Sequence, residues 1–99
     1  MVYKTSKFAK EKDLKINKAK ISWAKKRWGS YSNKSKNINY NCRLIMAPEF
    51  VIDYVVIHEL VHSKQSNHSQ KFWKKVEQMY PEYKKAKKWL KQKGHLLKL

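Results

Sequence analysis

From Phe50 to His62 the chain reads Phe50-Val51-Ile52-Asp53-Tyr54-Val55-Val56-Ile57-His58-Glu59-Leu60-Val61-His62, with no Gly or Pro inside it. An apolar run of this length predicts a buried helix. Pro48 suits the first turn, where a missing N–H costs nothing. From Pro48 to about Lys64 that helix would be roughly 25 Å long at 1.5 Å per residue. Residues four apart stand one turn above each other on the same face, so His58 and His62 point the same way and Glu59 lies beside them. Two imidazoles in so apolar a helix are costly to bury without a partner.

Two histidines at this spacing can share one metal ion, with the intervening glutamate placed to reach a water on it; zinc peptidases use the His-Glu-x-x-His pattern in this way. A third ligand candidate, His68, follows after the five residues 63–67. For His68 to reach the same ion the helix must end and the chain turn back, and Ser66, Asn67 and Ser69 supply turn and N-cap chemistry there. Three histidines leave the fourth tetrahedral position of zinc open, the condition of a catalytic site. The expected chemistry is hydrolysis of a peptide bond by a zinc-activated water, with Glu59 as general base. Tyr54 and Tyr31 are both candidates to stabilise the oxyanion, and spacing does not choose between them. Asp53 and Glu49 are candidates to hydrogen-bond a ligand imidazole.

A chain of 99 residues predicts one small domain, here residues 14–99, preceded by an arm or short helix over 1–13. A bound metal would help to hold so small a core together. The single cysteine, Cys42, excludes an internal disulfide, fits a reducing compartment and is expected as a structural thiol in a strand. Neither a signal peptide nor a membrane-spanning run is found, so the expected location is cytoplasmic, with no membrane partner. The net charge is +17: residues 1–36 carry twelve Lys or Arg against two acids, 37–70 two against three, and 71–99 ten against two. Basic flanks around a near-neutral middle favour polyanions, so a nucleic-acid-binding module with a structural or vestigial metal site is the alternative to a peptidase, and a peptidase localised to nucleic acid combines the two. Against it, 22 of the 24 basic residues are lysine, which reads phosphate and guanine less well than arginine.

Period-two alternation over residues 14–24 (Leu14, Ile16, then Ala19, Ile21, Trp23) predicts a half-buried strand, with a turn at Lys25-Lys26. A second strand is expected over 27–32, a turn over 33–37 and a third strand over 38–41. Together these would form a small antiparallel sheet of about three strands packed on the central helix, an α+β arrangement. Zinc peptidases commonly hold substrate as an added strand on a sheet edge, and Trp28-Gly29-Ser30 is the candidate edge for a polypeptide substrate, Gly29 permitting close approach. Two helices follow. One runs from about Ser69 to Tyr80 with Phe72, Val76, Met79 and Tyr80 inward and Trp73 at the edge of that face. The other runs from Pro81 to about Lys93, buries Tyr83, Ala86, Trp89 and Leu90, and stops at Gly94. Trp73 and Trp89 are expected as core. Lys84, Lys85, Lys87, Lys88 and Lys91 are expected as a solvated face, and His95 as ordinary surface.

These residues, in order, resemble a known family. Arg27-Trp28-Gly29-Ser30, Asn37-Ile38, Asn41, Ile52-Asp53-Tyr54-Val55-Val56, His58-Glu59-Leu60-Val61-His62, Asn67-His68-Ser69, Phe72-Trp73, Pro81, Tyr83 and Trp89-Leu90 together resemble the YgjP-like metallopeptidase domain, and more distantly the SprT-like and WLM-type peptidases. The resemblance spans about residues 14–91. It implies a zincin-like fold, zinc held by His58, His62 and His68, and Glu59 as general base. It also implies an association with nucleic acid, since the SprT-like and WLM-type relatives digest proteins crosslinked to DNA. Tyr31 stands where the family usually has Cys, and the region before residue 14 is shorter than usual, as expected of a minimal catalytic unit or a fragment. Gln65 stands where metzincins place Gly, so the shared histidine spacing does not make this chain a metzincin.

Overall fold

The computed structural model describes residues 5, 7–8, 10, 16, 18–22, 28–32, 34–65 and 68–94, and of residues 18, 22 and 45 the backbone alone. Its centre is the expected apolar helix, α1 (Glu49–His62). The consecutive residues Tyr54, Val55, Val56 and Ile57 are all buried, so α1 is covered on every side at its middle and has no single apolar stripe. Pro48 sits at the cap position just before the helix, and its carbonyl accepts hydrogen bonds from the amides of Val51 (2.9 Å) and Ile52 (3.1 Å). At the other end the amide of Gln65 bonds the Val61 carbonyl at 2.9 Å, and the chain leaves the helix through Ser63 and Lys64.

Strands β1 (Lys18–Ser22), β2 (Gly29–Tyr31) and β3 (Asn37–Asn41) form one sheet in the order β1-β3-β2. β2 and β3 are an antiparallel hairpin, with Gly29 opposite Tyr40 and Tyr31 opposite Ile38. β1 is parallel to β3, with Ala19 opposite Ile38. The expected all-antiparallel sheet is therefore corrected to a mixed one. The chain from Ser22 to Asn37 includes β2 itself, which gives a parallel pair the long connection it needs. It also makes β3 central: Ile38 and Tyr40 are buried while β1 is an edge whose Ile21 is 47% exposed. The predicted ends of the first strand at Leu14 and Ala24, the Lys25-Lys26 turn, Arg27, Asn33, Ser66, Asn67 and His95 lie outside the described residues. Lys36 closes the β2–β3 turn at φ 58°, a left-handed conformation that favours Gly or Asn.

Cys42 opens a 3-10 turn (Cys42–Met46) after β3 and is not in a strand; the buried Asn41 side chain caps this turn by accepting from the Arg43 amide at 2.9 Å. Helices α2 (Gln70–Met79) and α3 (Tyr83–Lys93) pack against α1, as does β2. Phe72 and Val76 of α2, and Tyr83 and Ala86 of α3, carry their buried faces. The Tyr80 hydroxyl donates to the Phe50 carbonyl at 3.0 Å, tying the α2–α3 corner to the start of α1. α3 stops at Gly94 as expected, with φ −57° at that residue. A Cβ there would lie 2.9 Å from Cζ2 of Trp28, so close approach, and not a positive φ, is what calls for glycine. Within the stretch expected as an arm or short helix, Thr5, Lys7, Phe8 and Lys10 are helical, and the fully buried Thr5 hydroxyl shares a 2.6 Å hydrogen bond with that of Tyr40.

Candidate metal centre and cleft

The helical period of α1 places His58 and His62 on one face, ring centroids 4.9 Å apart. The chain then turns back through Gln65, and His68, just before α2, meets both: its ring lies 5.1 Å from His58 and 4.7 Å from His62. One ring nitrogen from each of the three lies within 4.8 Å of the others. Nε2 of His62 and Nε2 of His68 are 3.0 Å apart. Two nitrogens at about 2.0–2.1 Å from one tetrahedral zinc ion stand about 3.3 Å apart, so the His62–His68 pair is at the spacing of ligands that share a cation.

The outer nitrogens support this orientation. Nδ1 of His62 is 3.2 Å from the Gln65 carbonyl, which can only accept, so Nδ1 carries the proton and Nε2 keeps its lone pair. Burial pushes the His62 imidazole below its ordinary range, outweighing the opposite pull of Glu59, and so favours the neutral form a metal requires. Nδ1 of His58 is 3.2 Å from Oε2 of Glu59. Glu59 and the Gln65 carbonyl thus stand at the outer nitrogens of His58 and His62. At 3.6 residues per turn, Asp53 is rotated about 140° from His58 and Glu49 about 180°, so neither shares its face.

Glu59 is 4% exposed, and its neighbour across the cleft is Gly29 of β2. A Cβ on Gly29 would come within 3.0 Å of both Cγ and Oε2 of Glu59 and 3.2 Å of Cγ1 of Val55. The close approach expected at Gly29 is therefore made by the glutamate side chain. Trp28, Gly29, Ser30 and Tyr31 line one side of a cleft of about 560 Å³, and Tyr54, Val55, His58, Glu59, His62, His68 and Leu90 complete it. β2 is an edge of the sheet, as expected for Trp28-Gly29-Ser30. Tyr54 stands one turn before His58, edge-on to its ring at 5.8 Å. Burial, helped by the charge of Glu59, pushes the Tyr54 phenol up to about 12, so it keeps its proton.

Sequence reasoning placed Trp73 in the core only; the structure stacks it on His68, at 25° between planes. The signal was faint: an aromatic residue in the first turn of the helix that follows the third histidine. Val55 was findable, because it precedes Glu59 by four residues on one helix.

A YgjP-like metallopeptidase domain matches residues 2–93. Comparison with curated proteins finds none that matches. Among solved structures the chain is similar to the crystal structure of the metallopeptidase zymogen abylysin of Pyrococcus abyssi. The two are 28% identical, the match covers 93% of this chain and 94% of that one, and the TM-score is 0.78. The metallopeptidase zymogen jannalysin of Methanocaldococcus jannaschii shares the fold at 23% identity and TM-score 0.78, covering 92% and 93%. With the family pattern matched over nearly the whole chain, and three histidines gathered beside a glutamate at one cleft, this chain belongs to the YgjP-like metallopeptidase domain family.

Proposed function

We propose that the chain is a zinc peptidase in which His58, His62 and His68 hold the metal and Glu59 is the general base. The observation that carries this reading is the convergence of three imidazole nitrogens within 4.8 Å beside a buried glutamate. Zinc held there would lower the pKa of a water toward neutrality and polarise a carbonyl. The Glu59 carboxylate takes a proton at this site and delivers it to the leaving amine. Tyr54 and Tyr31 are the two phenols on the cleft wall, and each is a candidate donor to a carbonyl oxygen. β2, an edge strand on the cleft, receives a polypeptide as an added strand through its backbone, with Trp28, Gly29 and Ser30 as the contact.

Glu59→Gln is expected to keep zinc and to lose peptidase activity by a factor of about 10²–10⁴. Because the two solved relatives are zymogens, the assay is run on the purified chain and again after limited proteolysis. Activity retained in Glu59→Gln would refute the mechanism. In the structure, the nucleic-acid reading is supported by charge alone. Lys84, Lys85, Lys87, Lys88, Lys91 and Lys93 are exposed on α3, a helix with no acidic residue, and a salt titration of oligonucleotide binding tests them. Among the described residues no helix is long and apolar enough to cross a membrane.

A further inference from the structure

His58 and His62 take their orientation from the helix they belong to. His68 stands outside both α1 and α2 and is exposed, so regular backbone does not fix its ring. Two aromatic side chains of α2 lie against that ring. The Trp73 indole lies nearly parallel to it, with centroids 5.9 Å apart, and the Phe72 ring meets it edge-on at 4.9 Å and 88°. Trp73 is itself held from the next helix. Tyr83 of α3 stacks on it at 5.5 Å and 23°, and the Lys87 ammonium is 4.1 Å from the ring centre. The buried face of α2 is carried by Phe72 and Val76, whereas Trp73 is only half-buried. A large planar side chain at the rim, set against an exposed ring, restricts how that ring can turn.

We infer that Trp73 is the positioning residue for His68. Its flat face limits the rotation of the imidazole, so the third ligand is already ordered when a metal arrives, and the cost of ordering it is met on folding. Tyr83 and Lys87 extend this support to α3, so the metal centre is braced by a helix that contributes no ligand. The inference rests on the three histidines being a metal site; it does not depend on peptidase activity.

The test is a double-mutant cycle on zinc affinity, measured on the full chain by competition with a chromophoric chelator. Trp73→Leu is expected to weaken zinc binding about 10–100-fold, the range for groups that orient metal ligands. Trp73→Phe keeps an aromatic face and loses less. In a His68→Ala background neither substitution changes zinc affinity further. The control is Trp89→Leu, at a half-buried position of α3 with no ring contact to the histidines among the described residues. It is expected to lower the thermal midpoint of the zinc-free chain as much as Trp73→Leu does, while zinc affinity stays within about twofold. Zinc binding undiminished in Trp73→Leu would overturn the inference, as would a loss of the same size without His68 or in Trp89→Leu. Should Trp73→Leu fail to fold, Trp73→Phe carries the cycle, and its loss must vanish in the His68→Ala background. A wild-type chain that takes up no zinc would refute the metal reading itself, and this inference with it.

Discussion

The histidine cluster is built in two ways, and the contrast between them explains most of the site. His58 and His62 sit toward the end of a helix whose middle is buried on all sides, with Leu60 and Val61 fully buried between them. Their spacing follows from the backbone repeat, and the same residues that make the core aim the rings. His68 is exposed and lies outside both helices, and it is aimed by side chains of the next helix. One half of the site thus comes with folding, and the other is set by aromatic packing at the surface. Substitutions in the two halves should therefore differ in which property they damage.

The largest difference is expected between two alanine substitutions. His62→Ala should abolish stoichiometric zinc uptake. His68→Ala should weaken uptake while leaving the zinc-free fold within about 0.5 kcal/mol, because an exposed side chain supports little of the core. Equilibrium dialysis and urea denaturation of both variants check this, and a zinc-free His68→Ala chain as unstable as a core mutant would break the comparison. Next is Leu60→Ala, on the fully buried flank between the two α1 histidines. It should cost about 2–5 kcal/mol of stability in urea denaturation of the zinc-free chain. A cost near zero would mean that α1 is not the core element described above.

Gly29→Ala sharpens the contrast from the sheet side. An added Cβ at 3.0 Å from Oε2 must push the Glu59 carboxylate by a few tenths of an ångström. The expected result is a loss of about tenfold in kcat/KM with zinc content unchanged, since small misplacements of a catalytic group are costly. Loss of zinc in this variant would show that Gly29 supports the histidines and not the base. The smallest effect is far from the site. Lys36→Gly removes a left-handed lysine from the β2–β3 turn and should stabilise the chain by less than about 1 kcal/mol, with zinc affinity unaltered.

The helical half of the molecule was legible in the sequence because its signals are local. The apolar run, Pro48 and the four-residue histidine step lie within one element, and α1 runs where they place it. That α2 and α3 follow Ser69 and Pro81 was also readable from apolar spacing. The sheet was read less well. Alternation marks a strand but carries no information on its direction or neighbours, so the parallel pairing of β1 with β3 was not visible. The surroundings of Trp73 and Gly94 were hidden for a related reason. A tryptophan at helical spacing looks like core, and a glycine after a helix marks only its end. What they meet, His68 and Trp28, lies outside their own elements.

A working centre of this kind needs three imidazoles meeting at one cation with a corner left for exchange. X-ray absorption at the zinc edge of the metal-loaded chain tests this directly. Three imidazole nitrogens at about 2.0–2.1 Å and one light oxygen scatterer are expected, with one imidazole lost in His68→Ala. Four protein ligands in the wild type, or a spectrum that His68→Ala leaves unchanged, would contradict it.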